Sequence, residues 1–134
     1  MFALSLRKNY SRLNQPIKTA WAIWKPHRLC GVEAVEEGRF TIPTISRCHD
    51  ELRFNYRCES GGWMYVELLP FIPSMMHADV SPIPGFSFDA CDALVGDSLD
   101  KEVTWNGNGD ISTIGDMVAI RLNLFRSKLF AYRV

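Results

Sequence analysis

The stretch Leu52-Arg-Phe-Asn-Tyr-Arg-Cys58, followed by Gly61-Gly62 and then by Trp63-Met-Tyr-Val-Glu-Leu-Leu69, decides the fold class. Apolar and polar residues alternate without a break in the first piece, which is the pattern of a half-buried β-strand. The last piece places its aliphatic side chains on one face and Trp63, Tyr65 and a glutamate on the other. Because the Gly-Gly pair between the two pieces is typical of a turn, we expect a β-hairpin here.

The same alternation returns in Val118–Phe125, and a further strand, Lys128–Val134, is expected to follow it. Arg126-Ser127 between them is interpreted as a second turn. Shorter strands are expected at Leu29–Val35, Phe40–Thr44 and Lys101–Trp105. Since no long stretch has helical periodicity, the sequence predicts an all-β chain, an antiparallel β-sandwich or jelly roll of about eight strands.

The size and charge of the chain exclude several classes of protein. A length of 134 residues suits one domain, and 15 basic residues balance 15 acidic ones. This balance gives no reason to expect a nucleic-acid or membrane partner. No apolar run approaches the ~20 residues of a membrane-spanning helix, and the first residues lack the pattern of a signal peptide. The localisation stays open.

The usual motifs of enzymes and metal proteins are absent from the sequence. Its three histidines form no metal-binding pattern, and it has no phosphate-binding glycine loop and no nucleophile elbow. No two of its four cysteines form a C-x-x-C pair, so we expect buried free thiols, with a Cys48–Cys58 disulfide as the alternative. Acyl transfer and nucleotide chemistry therefore have no recognisable site in the sequence, and we expect no cofactor, with calcium as the alternative.

Four aspartates lie close together in the sequence: Asp89, Asp92, Asp97 and Asp100. Oxygen-rich loops of this kind can hold calcium, although the spacing does not match the EF-hand loop. Paired carboxylates also perform glycosidic acid–base catalysis when their separation is right. The simpler interpretation is that these carboxylates cap turns and face solvent.

Three aromatic residues are candidates for a binding surface. Trp63 and Tyr65 lie on the face of their strand opposite its aliphatic residues, and Trp105 ends a strand beside the turn sequence Asn-Gly-Asn-Gly. Exposed aromatic rings on a β-sheet can stack on sugar rings or dock on another domain. The alternative is that they pack against a second sheet.

A series of motifs extends over residues 21–134: Trp24-Lys-Pro-His-Arg28, Gly38-Arg-Phe-Thr-Ile-Pro43, Glu51-Leu-Arg-Phe-Asn-Tyr56, Gly62-Trp-Met-Tyr-Val-Glu-Leu-Leu69, Pro84-Gly-Phe-Ser-Phe88, Cys91-Asp92, Gly96-Asp-Ser98, Val103-Thr-Trp105, Ile120-Arg-Leu122 and Lys128-Leu-Phe-Ala-Tyr132. In order and spacing this series resembles the carboxy-terminal β-sandwich module of predicted glycosyl hydrolases with a sialidase-like five-bladed propeller. The basic leader, residues 1–20, resembles the last propeller strand and linker of longer relatives through Phe2–Leu6 and Asn9-Tyr10.

The resemblance implies a non-catalytic accessory module that packs on a catalytic propeller in longer relatives. The hydrolase site of those relatives is expected in the propeller, so no catalytic residue is carried over to this chain. We expect a truncated remnant of such an enzyme or, as the alternative, a stand-alone carbohydrate-binding module that uses exposed aromatics. The implied partners are a glycan or a propeller-type catalytic domain.

Overall fold

Four strands form a single antiparallel sheet in the computed structural model, which describes residues 23–71 and 80–134. In chain order the strands are β1 (Val32–Ser46), β2 (Arg53–Pro70), β3 (Asp97–Glu102) and β4 (Met117–Arg133). Their order in the sheet is β1-β4-β2-β3. No helix occurs in these residues, hence none that could cross a membrane. For the described residues, the prediction of an all-β antiparallel fold is confirmed. The predicted number of about eight strands and the predicted sandwich or jelly roll are not confirmed. The predicted leader, residues 1–20, lies outside the described residues.

The hairpin predicted around Gly61-Gly62 is wrong, because β2 continues through this point as one strand. Its two halves pair with the same neighbour, β4, with Cys58 opposite Ser127 and Trp63 opposite Phe125. The four residues between Cys58 and Trp63 therefore form a bulge in a long strand pair.

The second predicted turn, Arg126-Ser127, is also a bulge within a continuous strand. Arg126 has a φ of 46°, and β4 pairs with β1 and β2 on both sides of it. Strand β1 shifts register at the same level, between Ala34 and Glu37. These irregularities in β1, β4 and β2 form one row across the sheet, which we call the bulge row.

A close approach of two backbones explains the glycine at position 62. A Cβ atom there would lie 2.4 Å from the carbonyl oxygen of Arg126 and 2.8 Å from that of Phe125. The neighbouring Gly61 has a φ of 76°, a conformation that favours glycine. The Gly-Gly pair therefore lets β2 pass against β4 at the bulge row.

The core lies between the inner face of the sheet and the connections that precede and follow β3. The inner face contributes the following buried side chains: Ile42, Phe54, Tyr56, Cys58, Met64, Val66, Leu68, Val118, Ile120, Leu122, Leu124 and Leu129. Val103, Ile111 and Ile114 cover this face from the connection after β3. Reciprocal backbone hydrogen bonds between Met64 and Leu94, both 3.0 Å, fix the connection before β3 along the edge of β2.

The turn predicted after Trp105 is confirmed. Trp105 and Asn108 exchange backbone hydrogen bonds of 2.8 and 3.0 Å around the central pair Asn106-Gly107. Asn106 has a φ of 52° and Gly107 a φ of 78°, as a type I′ turn requires at both central positions.

Replacement of Gly62 by alanine tests the bulge row. In Gly62→Ala the added methyl group would collide with backbone oxygens of β4 that cannot rotate away. We expect the free energy of unfolding to fall by roughly 1–3 kcal/mol, measured by urea denaturation. The control is Gly115→Ala, where nothing lies within 4 Å of the added atom, and a change below about 1 kcal/mol is expected. Equal effects of the two substitutions would contradict the close approach.

Candidate functional site

The face of the sheet opposite the core, here called the outer face, carries two chemically different groups of side chains. The bulge row separates them. On one side lie Trp63 and Tyr65 of β2 with Phe125 of β4, and these three residues are called the aromatic cluster. On the other side Arg57 of β2 lies opposite Lys128 of β4. The outer face is therefore aromatic on one side of the row and basic on the other.

The rings of the aromatic cluster contact one another directly. Trp63 stacks on Phe125, its cross-strand partner, with ring centroids 5.7 Å apart and 27° between the planes. Tyr65 lies tilted against Trp63 at 5.1 Å. All three side chains are only partly buried. The structure therefore brings the predicted candidates Trp63 and Tyr65 together and adds Phe125, which the sequence analysis did not select.

A groove of about 490 Å³ lies beside the cluster, at the bulge in β2. Its lining includes the bulge residues 59–62 together with Trp63 and Tyr65. Ala93, Val95 and Gly96 also line it, from the connection before β3. The bulge supplies two polar side chains of the groove, the carboxylate of Glu59 and the hydroxyl group of Ser60. The groove thus combines aromatic rings with hydrogen-bonding groups, which is the composition of many small-ligand sites.

The third aromatic candidate, Trp105, belongs to the core, and the expectation that it is exposed is wrong. Only 3% of this residue is accessible. Its indole Nε1–H donates a 3.0 Å hydrogen bond to the carbonyl oxygen of Val66, and its ring meets Phe86 edge-on at 5.1 Å. Trp105 therefore stabilises the edge of β2 rather than presenting a ring to a ligand.

The four candidate aspartates do not converge on one point. Asp92 accepts hydrogen bonds from the Thr104 hydroxyl (2.6 Å) and the Gly107 N–H (2.8 Å), which lower the pKa of its carboxyl group. Asp100 pairs with Arg53 at 2.9 Å, and Asp89 is exposed. Within residues 23–71 and 80–134, no group of three or more His, Cys, Asp or Glu side chains is placed to hold a metal ion.

The fourth aspartate, Asp97, belongs to a pocket that the sequence analysis did not identify. This basic pocket, about 310 Å³ in volume, is lined by Lys25, Arg28, Arg57, Asp97, Lys128 and Phe130. Lys25 pairs with the Asp97 carboxylate at 3.2 Å. The hydrogen bond from Arg28 and the pairing with Lys25 lower the pKa of Asp97 to about 2. Asp97 is therefore already engaged by two cations.

Arg28 forms a structural anchor for the pocket. Its side chain, only 7% exposed, donates to Asn55 Oδ1 at 2.8 Å and to the Tyr56 and Ser98 carbonyl oxygens at 3.1 and 3.0 Å. It also donates to Asp97. These bonds fix the segment before β1 to β2 and β3, and they fix Arg28 as one wall of the pocket.

A buried ion pair lies beyond the aromatic cluster on the outer face. Glu67 and Arg121 are opposite each other in register and form a hydrogen-bonded ion pair, with both side chains largely removed from solvent. Arg121 also donates to the Val80 carbonyl oxygen. A carboxylate buried in this way is tolerable because it is paired, so the ion pair fixes this end of the face.

All four cysteines are free, and two of them are buried. Cys58 and Cys91 lie in the core, where burial raises the pKa of each thiol to about 11. The Cys91 sulfur accepts a 3.3 Å hydrogen bond from the Val66 N–H. Since Cys48 is exposed and Cys58 buried, the alternative disulfide between them is not formed.

Comparisons with known proteins do not assign a family. The chain matches no family model, no curated protein and no solved structure. The resemblance to the accessory module of propeller-type glycosyl hydrolases rests on the sequence motifs alone.

The Asp97 ion pairs predict a dependence of stability on pH. Its pKa is lowered in the folded protein, so ionised Asp97 stabilises the fold above about pH 4, and this contribution disappears as the pH falls through about 2. We expect Asp97→Asn to lower the unfolding temperature at neutral pH, and the difference from wild type to shrink in acid. The measurement is thermal unfolding at stepped pH values, with the exposed Asp89→Asn as the control. A difference that stays constant into acid would contradict this role.

Proposed function

We propose that this chain is a non-catalytic β-sheet module that docks on a partner domain through the aromatic cluster. The observation that carries the proposal is the stacked pair of Trp63 and Phe125, with Tyr65 beside it, on a face that stays partly accessible. Aromatic side chains are enriched at protein interfaces because each buries a large apolar area with few rotatable bonds.

The proposed partner is a propeller-type catalytic domain, as the sequence resemblance implies. In the related modules such a domain is the surface on which the accessory module packs. The sandwich or jelly-roll architecture expected for those modules remains part of the proposal, because the described residues form one four-stranded sheet.

Substitution of Trp63 tests the docking surface. Without its partner domain, the chain is expected to self-associate through the aromatic cluster. Trp63→Ser removes the central ring and should weaken self-association by roughly tenfold or more in the dissociation constant. Sedimentation velocity over a concentration series measures this, with Tyr132→Ser as a matched aromatic control outside the cluster. Monomeric behaviour of wild type and Trp63→Ser alike would argue against a docking surface.

The groove beside the cluster favours a second candidate function, glycan binding. Its volume of about 490 Å³ and its combination of Trp63 and Tyr65 with the polar residues Glu59 and Ser60 suit a sugar ring, which needs an apolar stacking surface and hydrogen-bond partners. On this alternative the module works alone as a carbohydrate-binding module.

Glycan binding separates the two candidates. Stand-alone binding predicts a saturable signal on a glycan array that Trp63→Ala abolishes and Tyr132→Ala preserves. Trp105→Ala is unsuitable for this purpose, because removal of a buried ring would destabilise the core. A blank array from wild-type protein that circular dichroism shows to be folded would eliminate the second candidate and leave the docking proposal unaffected.

A further inference from the structure

A row of charged residues crosses the outer face next to the bulge row. Glu33 of β1 lies opposite Lys128 of β4, Lys128 opposite Arg57 of β2, and Arg57 opposite Asp97 of β3. Two like charges, Lys128 and Arg57, are therefore direct cross-strand neighbours in the middle of the sheet. Like charges in this relation destabilise a sheet, so their pairing requires a compensating interaction.

Two more cations face the same point from the segment before β1. Lys25 and Arg28 both bind Asp97, which lies opposite Arg57 on the next strand. The carboxylate directly opposite Arg57 is thus engaged by Lys25 and Arg28, and Arg57 pairs with the exposed Glu59 instead. As a result, four cationic side chains line the basic pocket together with a single carboxylate.

Two exposed carboxylates that do not line the pocket pair with its cations. Glu33 pairs with Lys128 at 3.4 Å and Glu59 pairs with Arg57 at 3.1 Å, and these two carboxylate side chains are 49% and 56% exposed. Ion pairs of such exposure contribute little and exchange readily with other anions. Lys128 and Arg57 therefore remain available to a better ligand.

The wall of the pocket adds an aromatic surface to these charges. The guanidinium carbon of Arg28 lies 4.7 Å from the centroid of the Phe130 ring, and Lys128 Nζ lies 5.7 Å from it. The anchoring bonds of Arg28 to Asn55 and to backbone carbonyls hold this wall in place before any ligand arrives. The Arg28 wall of the pocket is thus preformed, so that a ligand does not have to order this side of the site.

We propose that the basic pocket binds an oxyanion of the phosphate or sulfate type, as the free ion or as the terminal group of an ester. Arg57 offers the planar fork that matches such oxygens, and Lys128 and Lys25 add mobile ammonium groups. Phe130 offers a surface to the organic part of an ester. Bound between Arg57 and Lys128, the anion relieves the repulsion of the facing cations. This site is separate from the aromatic cluster and does not depend on the proposed docking function.

Titration with inorganic phosphate tests the proposal on the full chain. We expect phosphate to raise the unfolding temperature of wild type above that in sodium chloride of equal ionic strength, because a ligand that binds only the folded state stabilises it. Isothermal titration should show affinity about tenfold weaker or worse for Arg57→Gln and for Lys128→Gln. Two variants are used so that a folding defect in one leaves the other informative.

Matched controls decide between a site and general electrostatic attraction. Lys101→Gln removes an exposed lysine outside the pocket and Trp63→Ser alters the docking surface, and both should leave phosphate affinity unchanged. Phenyl phosphate and sulfate are titrated in parallel. If phenyl phosphate binds more tightly than inorganic phosphate, the site is assigned to an ester. If the two bind equally, the site is assigned to the free ion. The proposal would be overturned if phosphate raised the unfolding temperature no more than chloride does. It would also be overturned if Lys101→Gln lost as much phosphate affinity as the pocket variants.

Discussion

The antiparallel pairing of β2 with β4 positions both the core-facing side chains and the two groups on the outer face. The pair extends from Arg53 opposite Arg133 to Pro70 opposite Val118, and it passes through the bulge row without a change of partner. Gly62 makes this passage possible, because any side chain there would meet the backbone oxygens of β4. In β2 the core-facing side chains stay on alternate positions across the bulge, from Cys58 to Met64. In β4 the irregularity at Arg126 shifts the core-facing positions by one residue, so that Leu124 on one side and Leu129 on the other both face the core.

The two groups on the outer face follow from this continuity. Arg57 and Trp63 belong to the same strand, and so do Lys128 and Phe125, so a basic and an aromatic surface lie end to end. If β2 folded back at Gly61-Gly62, only one of its halves could pair with β4, so the Trp63–Phe125 stack and the Arg57–Lys128 pair could not both form. The aromatic cluster and the basic pocket therefore depend on one strand pairing.

Local sequence patterns predicted the two central strands well, but they divided β1 into two strands and placed β3 at Lys101–Trp105 instead of Asp97–Glu102. The connections were predicted poorly. The alternation in Leu52–Cys58 and Val118–Phe125 requires only neighbouring residues, and both stretches are essentially strand. Gly61-Gly62 is compatible with either a turn or a bulge, and the choice depends on whether a partner strand is available on both sides. That partner comes from the end of the chain, more than sixty residues away in sequence, so no local signal specifies it. Trp105 was misassigned for the same reason, since its hydrogen-bond acceptor, Val66, lies 39 residues earlier.

The basic pocket could not be predicted from spacing alone. Its residues come from the segment before β1 and from three different strands, and each looks like an ordinary solvated charge in its own segment. The sequence does place Arg57 on the polar side of an alternating strand and Lys128 at the start of an expected strand, but only the register makes them neighbours. Trp63 and Tyr65, by contrast, were found because two residues of one strand share a face whatever the strand pairs with.

The most direct measurement of this arrangement is the set of cross-strand backbone nuclear Overhauser effects in the isotopically labelled chain. We predict contacts between Arg57 and Lys128 and also between Tyr65 and Asn123, on both sides of the bulge row. A hairpin centred on Gly61-Gly62 would instead give contacts between Cys58 and Tyr65. Observation of those contacts, with loss of the Tyr65–Asn123 pair, would contradict the continuous strand and with it the outer face described above.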